Sequence, residues 1–243
     1  MSFATTGRMT RHVVVMTGAG ISADSGVRTF RDAGGLWEGH RPEDVATPEA
    51  WNKDPKMVWR FYQARRAQLA EVEPNAAHHA LADAAQRLEK DGEHMTLVTQ
   101  NVDDLHERAG SDAIHMHGEL AQLRCEACAH RLRDLDHTSP EFLPCPACGH
   151  ARLRPDIVWF GEVPFHLEAI ERALLSCTHF VAIGTSGQVW PAAGMLHAAR
   201  SRGARTWVQA LEVPANAETD DTFVEGRAAH VVPALMQTVL EDK

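Results

Sequence analysis

The stretch His12-Val-Val-Val-Met-Thr-Gly-Ala-Gly-Ile-Ser22 decides the fold of this 243-residue chain. Its apolar half has the length and the Val content of a buried strand, and the glycines after it favour a sharp turn into a helix. Backbone N–H groups at such a turn can bind a diphosphate, although a plain strand-to-helix turn uses the same residues. The stretch therefore predicts an α/β fold with a possible ligand site after the first strand.

Further apolar runs alternate with helical patterns along the chain. We predict strands at 96–99, 156–159, 180–183 and 206–208, and helices at 55–70, 76–90, 166–175 and 192–201. Unbroken apolar strands separated by helices indicate a Rossmann-like parallel sheet with helices on both faces. Ligands of such sheets bind at the carboxyl ends of strands, here residues 17–20, 100–103 and 184–186.

Composition limits the classes of function. Hydrophobic residues make up 44% and charged residues 23%, as in globular proteins, and the net charge of −9 argues against unspecific binding to nucleic acid. Residues 1–10 lack the apolar stretch of a signal peptide, and no apolar run has membrane length. We expect a cytoplasmic monomer without nucleic-acid or membrane partners.

Four of the five cysteines form two C-x-x-C pairs, Cys125 with Cys128 and Cys145 with Cys148, and 16 residues separate the pairs. This spacing predicts a four-thiolate zinc site, in which each pair forms a tight knuckle. Four protein ligands leave no open position on the metal, so the zinc ion would be structural. His130 and His150 follow the pairs and are the weaker alternatives for a ligand.

The residues after Ser22 argue against hydride transfer. A dinucleotide-binding dehydrogenase continues with a helix and a second strand that ends in an acidic residue. Residues 25–35 instead form a polar, glycine-rich segment with two arginines, which suits a flexible lid. A nicotinamide-dependent oxidoreductase is therefore the less favoured interpretation.

Several long motifs together resemble the sirtuin family. They include T-G-A-G-I-S-A-D-S-G-V-R-T-F-R-D at 17–32, T-Q-N-V-D at 99–103, H-G at 117–118, V-W-F-G-E at 158–162 and G-T-S at 184–186. The likeness runs through nearly the whole chain in order. It implies an NAD-dependent protein-lysine deacylase that consumes NAD as co-substrate and acts on acylated-lysine proteins.

The resemblance also implies a domain organisation. Residues 1–243 would form one catalytic domain, with a large Rossmann-like part from 1–35, 75–118 and 155–243. Its small part would combine a helical insertion, 36–74, with the zinc module, 119–154.

The resemblance implies a cofactor site. Asn101 and Asp103 would line the nicotinamide pocket and Gln100 would lie near the ribose, whereas Phe30 would shield the ribose and Arg31 would hold the loop over the phosphates. Without the family, Asn101 and Asp103 would simply cap a helix beginning near Leu105. The expected cofactor-binding residues are Gly18, Ala19, Gly20, Ile21, Ser22, Thr29, Phe30, Arg31, Trp37, Gln100, Asn101, Val102, Asp103, Gly184, Thr185, Ser186, Ala210, Leu211, Glu212 and Ala228.

By the same resemblance, His117 and Asn101 are the catalytic residues. Nicotinamide would leave the ribose, and the acyl oxygen of the modified lysine would attack the exposed carbon. His117 would act as general base on a ribose hydroxyl, which suits a near-neutral imidazole. The products would be lysine, nicotinamide and 2′-O-acyl-ADP-ribose. His115 lies on the same face of a short predicted strand, 113–117, and is the alternative base.

Tyr62 and Arg65 lie three residues apart on the predicted helix 55–70 and so share one face. A surface arginine beside a half-buried tyrosine is the ordinary explanation of such a pair. The pair also resembles the sirtuin branch that accepts succinyl-, malonyl- or glutaryl-lysine, because a guanidinium and a phenol can bind a carboxylate together. Ala46 would leave room for the acyl chain, and Val158, Phe160 and Gly161 would pair with the substrate peptide.

Two positions depart from the family pattern. Ala210 stands where an asparagine usually contacts the adenosine ribose, so NAD should bind several-fold more weakly. Asp24 stands where glutamate is common. Mono-ADP-ribosyl transfer and an inactive acyl-lysine reader remain as alternative functions.

Overall fold

The computed structural model describes residues 10–27, 39–134 and 139–242. The strands within them are β1 (His12–Thr17), β2 (His94–Thr99), β3 (Ala113–His115), β4 (Gly118–Cys125), β5 (Arg131–Arg133), β6 (Leu153–Ile157), β7 (His179–Ile183), β8 (Arg205–Ala210) and β9 (Thr222–Glu225). The helices are α1 (Pro42–Val45), α2 (Pro48–Lys53), α3 (Pro55–Leu69), α4 (Ala76–Lys90), α5 (Leu105–Arg108), α6 (Leu167–Leu175), α7 (Ala192–Ser201) and α8 (Ala228–Glu241).

The larger sheet has six parallel strands in the order β3-β2-β1-β7-β8-β9. Successive side chains of a strand point to opposite faces, and β1 shows this clearly. Val13 and Val15 pack with α4 and α8, whereas Val14 and Met16 pack with α6 and α7. Both faces of the sheet are therefore covered by helices, as the sequence predicts for a Rossmann-like fold.

A smaller antiparallel sheet, in the order β5-β4-β6, packs against α1, α2 and α3. The sequence prediction of a strand at 156–159 is wrong in both its bounds and its sheet. That strand is β6, which ends at Ile157 and pairs with β4 instead of joining the parallel sheet. All of β6 is buried, although it contains Arg154, Pro155 and Asp156. The apolar run at 157–159 that suggested a parallel strand mostly follows β6, and apolar content alone does not identify the pairing partner.

Two elements near the C-terminus have no counterpart in the sequence prediction. Strand β9 closes one edge of the parallel sheet, and α8 packs along α4. Helix α8 buries a stripe that contains Val232, Leu235, Met236 and Val239, which is helical spacing. Pro233 lies inside this helix and weakens its sequence signal, because proline lacks the N–H of a helical hydrogen bond.

In the part of the chain that the structure describes, no helix has both the length and the apolar character needed to cross a bilayer.

Candidate active site

The turn after β1 packs directly against the loop after β7. Gly18 N–H donates to the carbonyl of Ile183, and Gly20 N–H donates to that of Gly184, both at 2.9 Å. A Cβ on Gly20 would lie only 2.6 Å from the Cα of Gly184, so the two backbones leave no room for a side chain. The expected helix does not follow at once, because two short 3-10 turns, Ala19–Ile21 and Ala23–Ser25, continue the loop.

The polar turn after β2 joins the same place. Asn101 Nδ2 lies 3.2 Å from the carbonyl oxygen of Gly18 and 3.1 Å from Ser22 Oγ, and Ser22 Oγ donates to Asp103 Oδ2 at 3.0 Å. Gln100 Nε2 donates to Thr185 Oγ1 at 3.2 Å. The ends of β1, β2 and β7 therefore converge on one polar cluster, as expected for strand ends of a parallel sheet.

Asp103 precedes Asp104, the N-cap residue of α5, and is not itself the cap. Its Oδ1 accepts from the N–H of Leu105 at 3.3 Å, while its Oδ2 accepts from Ser22. Burial raises the pKa of Asp103 and outweighs the opposite effect of these two hydrogen bonds. The Asp103 carboxyl group is therefore shielded from water, and its contacts are the hydrogen bonds from Ser22 and from the N–H of Leu105.

A buried histidine pair lies beneath this cluster, and the sequence analysis missed it. His106 Nε2 lies 3.0 Å from Thr17 Oγ1, which donates to Thr99 Oγ1 at 2.9 Å. The rings of His106 and His78 meet edge to face at 5.0 Å. Burial lowers the pKa of His78 to about 4 and that of His106 to about 3, so both rings are neutral near pH 7. The sequence signal for this pair was Thr17 and Thr99, which end apolar strands and, when buried, need polar partners such as His106.

The two histidines near the end of β3 differ in their surroundings. His115 is held at both ring nitrogens, by the Asn101 carbonyl and the Glu107 carboxylate, each at 3.0 Å. Burial disfavours its charged form, but Glu107 outweighs burial and raises the pKa of His115. Its two contacts tie His115 into the fold.

His117 is held at one nitrogen in the hydrogen bonds described, from Nδ1 to the Gln100 carbonyl at 3.1 Å. Burial lowers its pKa and outweighs the effect of that hydrogen bond, so the ring is neutral near pH 7. A carbonyl partner at Nδ1 requires the proton there, which leaves Nε2 with its lone pair. His117 therefore has the protonation state that a general base needs.

The segment after β6 connects His117 to the small sheet. Val158 N–H donates to the His117 carbonyl at 2.9 Å, and Phe160 N–H donates to the Ala46 carbonyl at 3.0 Å. Between them, Trp159 Nε1 donates to Tyr62 Oη at 2.9 Å. These contacts bring most of the residues predicted to bind substrate into one continuous wall beside His117.

Tyr62 and Arg65 are both buried, with 1% and 7% of their surfaces exposed. The ordinary explanation, a surface arginine beside a half-buried tyrosine, is therefore wrong. Burial raises the pKa of the Tyr62 phenol, and the positive charge of Arg65 acts on it in the opposite direction. A cavity of about 850 Å³ lies on the Arg65 side of α3, lined by residues that include Phe61, Arg65 and Gln68. Arg65 lines this cavity, whereas Tyr62 contacts Trp159, so the joint acyl-binding role of the two side chains stays a prediction.

The four cysteines of the two pairs lie together at the outer end of the small sheet. Their sulfur atoms lie within 4.8 Å of one another, and two Sγ–Sγ distances are 3.7 Å. Tetrahedral zinc with Zn–S bonds of about 2.3 Å requires sulfur atoms about 3.8 Å apart. The cluster therefore fits one zinc ion, and in the described residues neither His130 nor His150 belongs to it.

The remaining expected cofactor residues divide into two sets. Thr29, Phe30, Arg31 and Trp37 lie outside the described residues. Ala210 ends β8, with Leu211 and Glu212 exposed beyond it, and the buried Ala228 begins α8. Asp24 accepts from Arg227 Nε at 2.6 Å and from the N–H of Ala229 at 3.1 Å. The short carboxylate of Asp24 thus links the β1 turn to the start of α8.

Comparison with known proteins agrees with this geometry. Residues 18–191 match the Sir2 family. An NAD-dependent protein deacylase of Shigella flexneri is 50% identical over 236 residues, which cover 94% of this chain and 84% of that protein. The crystal structure of a Sir2 homologue–NAD complex, 37% identical, has a TM-score of 0.84 over 96% of this chain and 90% of that chain.

A second solved structure, that of Sir2Af2 bound to a myristoylated histone peptide, is 30% identical with a TM-score of 0.71, over 96% of this chain and 94% of that chain. The family match spans residues 18–191, the sequence identity and the likeness of fold extend over almost the whole chain, and so the chain belongs to the Sir2 family.

Proposed function

We propose that this chain is an NAD-dependent protein-lysine deacylase that prefers acidic acyl groups such as succinyl and malonyl. The observation that carries the preference is the joint burial of Tyr62 and Arg65 in the wall that runs to His117. A guanidinium can bind a carboxylate through two parallel charge-assisted hydrogen bonds, so an acidic acyl group would suit this wall.

The cofactor edge, by which we mean residues 17–22, 100–103 and 184–186 at the strand ends, would hold NAD. When bound, NAD supplies an electron-poor ribose carbon after nicotinamide departs. Main-chain N–H groups of the β1 turn would face the diphosphate. Asn101 and Asp103 would bind the carboxamide of nicotinamide, and the large part of the domain would carry this edge on its parallel sheet.

His117 would act as the general base beside this edge. Its neutral ring, with the proton kept on Nδ1 by the Gln100 carbonyl, can accept a ribose proton at Nε2. Val158 is hydrogen-bonded to the carbonyl of His117 itself, so a peptide that pairs with residues 158–161 would bring its lysine next to the ring. Main-chain pairing depends little on sequence, so many acylated proteins would be substrates.

The acyl wall, by which we mean Tyr62, Arg65 and Trp159 with the small Ala46, would select the acyl group. The charge of Arg65 would disfavour a long apolar chain beside it, because an apolar chain offers a guanidinium no hydrogen bond. For this reason we do not propose that this chain binds a myristoylated peptide as Sir2Af2 does. Loss of Arg65 should weaken the transition state of the acidic substrate by about 2–4 kcal/mol.

The small part of the domain would owe its shape to zinc. The sulfur positions fit a closed tetrahedral site, so the metal would stabilise the small sheet and take no part in the reaction. Through β6 the zinc module leads directly into residues 158–161, and so it would support the substrate side of the site.

The test is a competition assay. The protein is incubated with excess NAD and equal amounts of acetyl-lysine and succinyl-lysine peptide of one sequence, and both are followed by mass spectrometry. We expect faster loss of the succinyl group, with release of nicotinamide and 2′-O-acyl-ADP-ribose. His117→Ala should abolish both reactions, whereas Arg65→Met should abolish only the succinyl reaction.

Each outcome has a clear meaning. If both peptides stay intact, deacylation is wrong, and a peptide that binds unchanged or a protein that becomes ADP-ribosylated identifies the alternative. If acetyl turnover exceeds succinyl turnover and Arg65→Met changes neither, the chain is a deacylase without the acidic preference.

A further inference from the structure

The carbonyl groups of Gln100 and Asn101 are neighbours in the turn after β2, and each holds a histidine ring. The Gln100 carbonyl oxygen lies 3.1 Å from Nδ1 of His117, and the Asn101 carbonyl oxygen lies 3.0 Å from Nδ1 of His115. The N–H of Asn101 in turn donates to Thr99 Oγ1 at 3.0 Å. One short turn therefore orients both rings, and a rotation of this turn would move the proposed base His117.

His115 also makes a contact at its second ring nitrogen. Its Nε2 lies 3.0 Å from Oε1 of Glu107 on α5. Burial would raise the pKa of Glu107, but the contact with His115 outweighs burial and lowers it, so the carboxylate is ionised near pH 7. A carbonyl and an ionised carboxylate can only accept, so both ring nitrogens of His115 must donate. The ring is therefore an imidazolium that bridges α5 and the turn.

The charges around His115 agree with a positively charged ring. Burial disfavours that charge, since only 7% of the residue is exposed, but Glu107 outweighs burial and raises the pKa of His115. Glu119 on β4 acts in the same direction, and Asp103 in the turn is a third carboxyl group nearby. His106 on α5 has a pKa of about 3 and is neutral, so it brings no opposing positive charge.

We propose that His115 is a positioning residue of the nicotinamide pocket, because its ring bridges Glu107 to the Asn101 carbonyl and so fixes the turn that carries Asn101 and orients His117. A main-chain carbonyl cannot rotate without moving its own residue, and the Asn101 side chain already contacts Ser22 Oγ at 3.1 Å. Both nitrogens of His115 are engaged, so it is not the general base. The inference rests on the proposed NAD site at the cofactor edge and deepens it.

Two variants separate the two contacts of His115. An asparagine amide nitrogen can take the place of Nδ1, whereas a glutamine amide nitrogen can take the place of Nε2. His115→Asn therefore keeps a donor for the Asn101 carbonyl, and His115→Gln loses it.

The readout is the exchange of isotope-labelled nicotinamide into NAD in the presence of the acetyl peptide, because this exchange depends on the nicotinamide pocket. We expect His115→Gln to raise KM for nicotinamide roughly three- to tenfold, and His115→Asn to raise it by less than about threefold. KM for the peptide should stay within about twofold of the wild type in both variants.

His12→Gln is the matched control. His12 is likewise held at both ring nitrogens, by the hydroxyl groups of Ser176 and Thr96, each at 2.8 Å. It begins β1, at the opposite end of that strand from the cofactor edge. This variant should leave KM for nicotinamide unchanged.

NMR titration of the histidine rings tests the bridge without any activity assay. The wild-type signal that is absent from His115→Gln should titrate with a pKa above 6.5. Glu107→Ala keeps the ring but removes its partner, so the pKa of His115 should fall below 6.5 and KM for nicotinamide should rise by less than about threefold. Glu107→Ala provides an independent test should His115→Gln fail to fold.

Three results would overturn the inference: an equal rise in KM for nicotinamide in His115→Asn and His115→Gln, a rise in His12→Gln, or a wild-type His115 that titrates below pH 6.5. The proposed function is judged separately by wild-type deacylation that His117→Ala abolishes. If that holds and His115→Gln leaves KM for nicotinamide unchanged, the deacylase stands and the positioning role of His115 is wrong.

Discussion

At the cofactor edge backbone meets backbone, whereas at the acyl wall side chains from distant segments meet. Gly18 and Gly20 touch the loop of Gly184 through main-chain hydrogen bonds, and adjacent parallel strands fix their positions. Tyr62 and Trp159 meet only because α3 packs on the small sheet. The first site follows from the sheet itself, while the second depends on the zinc module and the core around it.

Loss of zinc is the strongest way to separate the two regions. Cys145→Ser, or chelation of the wild type, should lower peptide deacylation by about a hundredfold or more, because a structural zinc site contributes much of the stability of a small module. NAD affinity should change by less than about threefold, since the parallel sheet has its own core. Activity assays and NAD titration calorimetry measure the two effects.

Cys177→Ala is the matched control for the zinc prediction, because Cys177 is a buried cysteine outside the cluster and packs beneath the parallel sheet. It should leave peptide turnover near the wild-type level. An equal loss of NAD and peptide binding after chelation would show that the two regions are not separable.

The buried histidine pair should make the cofactor side sensitive to acid. The folded-state pKa values, about 4 for His78 and about 3 for His106, lie below the ordinary value of 6.5. Below pH 6.5 the unfolded chain therefore binds more protons, and the free energy of unfolding falls as the pH falls towards these values. Between pH 6.5 and 5 the loss should be on the order of 2 kcal/mol per histidine.

Urea unfolding at a series of pH values measures the slope of the free energy of unfolding against pH. His106→Gln should remove the part that His106 contributes, on the order of 2 kcal/mol between pH 6.5 and 5. His230→Gln, which changes an exposed histidine on α8, should leave it intact. If His106→Gln unfolds with the wild-type slope, the acid sensitivity has another origin.

The pH dependence of catalysis should report His117. Since burial lowers its pKa below 6.5, kcat/KM should hold at pH 6.5 and decline only at lower pH. The acetyl peptide is the appropriate substrate, because it has no carboxylate that titrates in this range. A decline that begins above pH 6.5 would contradict the assignment of His117 as the base.

The smallest expected effect concerns the adenosine end of the cofactor edge. Ala210→Asn should lower KM for NAD several-fold, in line with one hydrogen bond of about 0.5–1.5 kcal/mol, and should do so equally for both peptides. Ala210→Val adds volume without a hydrogen-bond donor and should not improve KM for NAD. An effect on one peptide only would mean that Ala210 influences the acyl wall.

The contrast between the cofactor edge and the acyl wall also explains which features of the structure the sequence can predict. The strands around the cofactor edge are continuous apolar runs, and four of them are predicted within a few residues of their bounds. The zinc ligands follow from spacing alone. Strand β6 was assigned to the wrong sheet, because pairing partners are not encoded in local periodicity.

The tertiary contacts of the site could not be predicted. The contacts of His106 with Thr17 and of Trp159 with Tyr62 join residues far apart in the chain, so no local pattern reveals them. Tyr62 and Arg65 were found through family likeness and not through physical reasoning, since an amphipathic helix commonly carries such a pair on its surface.

The close approach of Gly20 and Gly184 also restricts how this chain can change by mutation. Any side chain at either position would push the ends of two neighbouring strands apart. A larger residue at one glycine cannot be offset at the other, because glycine is already the smallest residue. Natural variation and directed evolution should therefore leave this pair untouched while the acyl wall changes freely, so that new acyl specificities arise without altering the way NAD is held.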